Sequence, residues 1–392
     1  MRFNNIHYTF LGFLFLLNYS YAQPFQIGHT TINFTDVSRN NRVIATEIYY
    51  PSDVAGDNVA LTTATTDTFP VLSFGHGFVM TWDAYQNYWE ALVPNGYIIA
   101  FPKTEGSLSP SHLDFGKDLS FVLNQMVALG NNSTSIFFNR ISIMNAVMGH
   151  SMGGGASFLA AQLNSNIKTL VNFAPAETNP SAITAAASIT IPSLIFAGVN
   201  DCVTPQNTNQ IPMYNGLGSS CKTLISIIGA SHCQMSNSNS LCNFGELTCT
   251  PTATITRSVQ HAKIFSYLRP WLDYQLKGIC TQGNLFDTQL IGDTSVTYLK
   301  NCIQCNSLEN GFSNTIDEIV FYPNPVKETF VINGLNFTKY QIKIFDLNLR
   351  QLIDSNFVEN YRIDTSKWTT GIYFYELISD GKIKKGKFIK QE

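Results

Sequence analysis

The chain has 392 residues, a formal net charge of -3 and 44% hydrophobic residues with 13% charged. That balance fits folded domains and gives no reason to expect nucleic acid as a partner. No segment approaches the ~20 apolar residues of a membrane span, and the length is too great for a single compact core.

The first elements concern export. Arg2 opens a short charged region, residues 10–17 form an apolar run, and Ser20-Tyr21-Ala22 is a small-x-small cleavage site before Gln23. Residues 1–22 therefore read as a secretory signal peptide. Farther on, residues 69–74 (FPVLSF) predict a buried strand that runs into Gly75-His76-Gly77-Phe78. A second apolar run, residues 140–148, leads to Gly149-His150-Ser151-Met152-Gly153, and residues 154–163 predict a helix. A strand, then a serine flanked by small residues, then a helix is the context of a nucleophile elbow. Residues 170–174 predict another strand, with Glu177 just beyond it. Residues 191–198 (IPSLIFAG) predict the next, followed by Asn200-Asp201, and residues 224–228 lead to Gly229-Ala230-Ser231-His232.

Ser151, Asp201 and His232 thus occur in the chain order of an α/β-hydrolase triad, each past the carboxyl end of a predicted strand, where open parallel sheets carry their sites. A serine hydroxyl is a weak nucleophile, so a neutral imidazole must take its proton while a carboxylate fixes the tautomer and stabilises the imidazolium. The developing oxyanion needs two prepared donors, and the N–H groups of Met152 and Phe78 are the candidates. Glu177 is the alternative acid, because it too follows a strand. Asp201 in isolation also suits a helix N-cap, and His76 and His150 suit turn and packing positions. No metal-ligand spacing occurs, and the chemistry implies no cofactor.

All eight cysteines lie between Cys202 and Cys305, which in an exported chain predicts disulfides. Eight cysteines allow 105 full pairings. Cys202 with Cys221 is disfavoured, because Cys221 begins a strand at the edge opposite the site. The segment 306–315 is polar and reads as a linker. Charge density then rises: residues 316–392 hold 11 Lys or Arg and 10 Asp or Glu, against 13 and 17 in the 315 residues before them. Short strand-like runs at 330–333, 341–345, 350–353, 371–377 and 384–389 predict a small β-sandwich.

Two resemblances follow from these motifs. The segments from Val147 to Gly155, from Ile191 to Asp201 and from Gly229 to His232 resemble the cutinase-like polyester hydrolases, the group that includes poly(ethylene terephthalate) hydrolases; the likeness covers roughly residues 69–233. It implies an α/β-hydrolase fold in residues 23–305, a triad of Ser151, Asp201 and His232, and an oxyanion hole at Phe78 and Met152. It also implies a substrate cleft lined by Phe78, Met152 and Ala176. Two positions depart from the family: Ala174-Pro175-Ala176 stands where it usually has Ala-Pro-Trp, and His150 where it often has tryptophan. The resemblance further implies a disulfide joining the acid and histidine loops, in the family at the positions held here by Gly198 and Gln234, which neighbour Cys202 and Cys233. Cys202 with Cys233 is expected on that basis, with Cys242 and Cys249 as a local clip.

Residues 316–392 resemble the C-terminal sorting domain of the type IX secretion system, through Tyr322-Pro323-Asn324-Pro325, Gly371-Ile372-Tyr373 and a lysine-rich last strand ending at Lys390. A carbohydrate-binding or stabilising domain is the alternative for a unit of this shape. The expectation is a secreted or surface serine esterase that meets a small or polymeric ester and the type IX machinery. A serine peptidase, or an inactive hydrolase scaffold used for binding, are the competing readings.

Overall fold

The computed structural model describes residues 25–302, 320–333, 339–358, 360–379 and 382–391. The signal segment and the linker expected from the sequence lie outside the described residues. The chain divides between residues 305 and 306 into two compact units.

In the first unit the elements run β1 (Gln26–Asp36), β2 (Arg42–Ser52), β3 (Gly56–Asp57), β4 (Phe69–Gly75), α1 (Gln86–Leu92), β5 (Ile98–Pro102), α2 (His112–Gly130), β6 (Ile141–His150) and α3 (Ser151–Leu163). They continue with β7 (Thr169–Phe173), α4 (Ala182–Ala186), β8 (Ser193–Gly198), α5 (Gln210–Gly216), β9 (Lys222–Ile227), α6 (Ser240–Gly245), α7 (Arg257–Lys277), α8 (Cys280–Gly292) and β10 (Val296–Asn301). The strands form one sheet in the order β10-β9-β8-β7-β6-β4-β5-β2-β1-β3. From β9 through β5 every neighbour is parallel, and antiparallel strands flank this block at both ends.

The central strands are continuous apolar runs because both faces of the sheet are covered. Pleating sends Val71 and Val147 to one face, packed with Phe115 and Leu119 of α2 and Ala156 and Leu159 of α3. It sends Leu72, Ala146 and Met148 to the other, packed with Tyr88 of α1 and Leu268 and Trp271 of α7. This is the α/β-hydrolase architecture: a large, mostly parallel sheet with helices on both sides. Because β4, β6, β8 and β9 are mutually parallel, the loops leaving them open on one edge.

The second unit contains two antiparallel sheets, β11 (Val320–Tyr322), β12 (Thr329–Asn333) and β15 (Asn360–Asp364) in one, and β14 (Gln351–Val358), β13 (Lys339–Phe345), β16 (Gly371–Ser379) and β17 (Lys382–Lys390) in the other. Phe330, Ile332 and Ile363 of the first share a core with Ile342, Tyr375 and Phe388 of the second. No helix among the described residues is long and apolar enough to cross a membrane.

The cysteine pairing corrects the expectation. Cys202 bonds Cys249, Cys233 bonds Cys242, and Cys221 bonds Cys302. The stretch between His232 and α7 folds back across the loops after β8 and β9, so Cys249 reaches the loop that carries Asp201 and Cys242 the loop that carries His232. Their Cα separations of 5.4 and 5.6 Å lie in the normal range. Cys221 and Cys302 meet because β9 and β10 are antiparallel, with Lys222 opposite Asn301.

Candidate active site

Ser151 is the first residue of α3 and has φ of 54°, in the left-handed region that an L-residue seldom occupies. The turn that holds it depends on missing side chains. A Cβ on Gly149 would run into the Gly153 carbonyl group, and one on Gly153 would run into the backbone of Gly75. The first turn of α3 therefore leans against the end of β4, beside the loop that carries Phe78. The Ser151 carbonyl accepts the Ala176 N–H at 2.9 Å, which ties the loop after β7 to the same turn.

His232 and Asp201 come together from the loops after β9 and β8. His232 Nδ1 lies 2.8 Å from Asp201 Oδ2, and both side chains are buried. A carboxylate oxygen only accepts, so Nδ1 carries a proton, and in the neutral ring this tautomer leaves the lone pair on Nε2. Asp201 Oδ1 accepts the N–H groups of Val203 and Thr204, each at 2.8 Å. The capping role that an aspartate after a strand often fills is thus served by the same side chain. The Thr204 hydroxyl lies 2.9 Å from Asp201 Oδ2 and 3.0 Å from His232 Nδ1, a third member that the sequence did not single out. Glu177, the alternative acid, is exposed and accepts the Ile183 N–H at 3.0 Å.

The histidine loop is held on several sides. The Gln260 side-chain amide exchanges two hydrogen bonds with the Ser231 backbone, at 3.0 and 2.9 Å. Glu246 accepts the Cys233 N–H at 2.8 Å, and Arg257 donates to the carbonyls of Cys233 and Ser236. Burial lowers the Arg257 pKa, partly offset by Glu246.

Two further histidines border the site. His76 is buried with its ring nitrogens 2.9 Å from the carbonyls of Gly77 and Thr104, and burial lowers its pKa. His150 is fully buried, with its ring centroid 4.7 Å from that of His232. Burial pushes its pKa well down, the neighbouring His232 ring adds to the effect, and a contact with the His232 backbone offsets part of it. Met152 is buried at the start of α3, while Phe78 is 46% exposed in the turn after β4. Ala176 is partly buried. Ser151 in its left-handed turn and the His232–Asp201 pair thus lie on the carboxyl edge of an α/β-hydrolase sheet, the place and the residue types of a serine hydrolase.

Residues 21–250, more than half of the chain, match the PET hydrolase-like family model, and the chain belongs to that family. Residues 320–391 match the secretion system C-terminal sorting domain, the signature of type IX export. Cutinase 1 of Thermobifida cellulosilytica is 28% identical over 187 residues, which is 47% of this chain and 64% of that protein. The cutinase of Thermobifida fusca (strain YX) is 28% identical over 187 residues and 56% of its length, and cutinase est1 of Thermobifida alba is 26% identical over the same shares. The chain thus spans somewhat more than half the length of these curated relatives. The family is one of carboxylic ester hydrolases.

Proposed function

We propose that this protein is an exported serine esterase that cleaves carboxylic esters through an acyl-enzyme. The observation that carries the reading is the 2.8 Å contact of His232 Nδ1 with Asp201 Oδ2, on the sheet edge where Ser151 sits in a left-handed turn. Ser151 Oγ attacks the ester carbon as its proton passes to His232 Nε2. The oxyanion is held by the N–H groups of Met152, at the helix start where backbone donors are unpaired, and of Phe78. The tetrahedral adduct collapses, and the alcohol leaves with the proton from His232. Water then attacks the acyl group, giving its proton to His232, and the acid departs as Ser151 regains its hydrogen.

Phe78 offers an exposed ring in the turn after β4, while Ala176 adds only a methyl group. This favours short aliphatic esters over aromatic polyester. The segment 316–392 would engage the type IX machinery. A panel of p-nitrophenyl esters set against peptide anilides, with wild type and Ser151→Ala, tests the reading. Esters should be turned over and anilides spared, and the substitution should lower kcat by ~10⁶. Equal turnover by the two proteins, or a preference for anilides, would refute it.

A further inference from the structure

Tyr85 lies in the short segment that leads into α1, remote in sequence from every motif above, yet its hydroxyl reaches the base of the site. The Gly77 N–H donates to Tyr85 Oη at 2.7 Å, and Oη lies 2.9 Å from His150 Nδ1. Met80 Sδ is a weaker alternative acceptor at 3.4 Å. Tyr85 and His150 are both fully buried. Gly77 presses directly on the pair: a Cβ there would lie 2.7 Å from Met80 Sδ, 3.2 Å from Tyr85 Oη and 3.3 Å from His150 Nδ1.

The hydrogen bonds have one consistent direction. A backbone N–H can only donate, so Tyr85 Oη accepts from Gly77 and has its own proton to give. The imidazole nitrogen is the better acceptor, which leaves the His150 proton on Nε2. That nitrogen is buried, and the ring has a further contact with the His232 backbone. The His150 ring stands against the His232 ring at 4.7 Å. One end of this chain fixes the residue preceding Phe78, and the other backs the ring proposed as general base.

We infer that Tyr85 is a positioning residue, whose hydroxyl locks the Phe78 loop and the His150 ring behind His232 into one preorganised unit. The inference rests on the esterase reading. With the Oη removed, the buried Gly77 N–H loses its acceptor and His150 loses the donor that sets its tautomer. Both proposed oxyanion and base partners then gain freedom, while nothing that touches the ground-state ester is removed.

The test uses Tyr85→Phe, His150→Phe and the double variant in the full chain, with p-nitrophenyl butyrate. The phenylalanine at 150 keeps a ring against His232 but cannot accept from Tyr85. Each single variant should lower kcat by about tenfold with KM unchanged, less than the loss of an oxyanion donor itself. The double variant should be no slower than the worse single one, because one linkage is broken in each case. His150→Asn, whose Oδ1 can take the place of Nδ1 as acceptor, should recover part of the rate if Tyr85→Phe proves too unstable to assay. An unchanged kcat in an active Tyr85→Phe, multiplying losses in the double variant, or His150→Asn no better than His150→Phe would overturn the inference and leave the esterase reading standing. A wild type that fails to turn over the ester overturns both.

Discussion

Moderate acid should weaken the catalytic unit well above the pH at which carboxylates protonate. Burial pushes the His150 pKa well down, so the folded protein holds that ring neutral, and it lowers those of His76 and His261 as well. An unfolded chain binds a proton on each near the ordinary ~6.5. The stability contribution of a histidine kept neutral is therefore complete above that value and is lost as pH falls below it. At pH 5.5, one unit below, each histidine that stays neutral has cost about 1.4 kcal/mol relative to pH 8. His150 accounts for that amount, and His76 and His261 act in the same direction. The loss is a noticeable fraction of the ~5–15 kcal/mol that holds a typical domain together. Asp36 and Glu47 have lowered values, so their loss falls below their ordinary ~4 and outside this window. Urea unfolding of the purified protein at pH 8, 7, 6 and 5.5, by intrinsic fluorescence, measures the slope. His150→Phe should make it shallower by close to one proton. A stability that is flat from pH 8 to 5.5, or a slope unchanged by His150→Phe, would refute the argument.

Asp201→Asn should lower kcat by about 10⁴ through the wrong imidazole tautomer, whereas Glu177→Gln should leave turnover near wild type because its carboxylate serves the Ile183 N–H; the reverse order in a steady-state assay would reassign the acid. Replacing Cys202 and Cys249 with serine opens a crosslink spanning 47 residues and should reduce stability by up to about 4 kcal/mol in denaturant unfolding, on the loop-entropy account. Ala176→Trp should raise turnover of an aromatic ester several-fold relative to an aliphatic one, since a facing ring contributes ~0.5 to 1.5 kcal/mol beyond its buried area; equal loss on both substrates would show that position 176 does not face the acyl group.

The elements nearest the chemistry were legible because their signals are local. Buried parallel strands write themselves as unbroken apolar runs, and β4, β6, β8 and β9 fall within a few residues of the runs at 69–74, 140–148, 191–198 and 224–228. Gly149 and Gly153 mark a turn where a methyl group would strike backbone. Chain order then brought Ser151, Asp201 and His232 to one edge, because parallel strands end on the same side. The antiparallel β1 and β2, and β15 of the second unit, carry mixed patterns and were not anticipated.

What the tertiary structure alone decided are the contacts between segments far apart in the chain. Cys249 meets Cys202, and Cys242 meets Cys233, only because the stretch after His232 folds back, whereas the sequence pointed to Cys202 with Cys233 and Cys242 with Cys249. The Thr204 hydroxyl faces both Asp201 and His232 because two loops converge there. Tyr85 joins Gly77 to His150 across 65 residues, through a helix-leading turn whose sequence reads as ordinary aromatic packing. A local signal survives in sequence because neighbouring residues share one backbone geometry. A meeting of distant side chains depends on the whole packed core and leaves no periodicity or spacing to read.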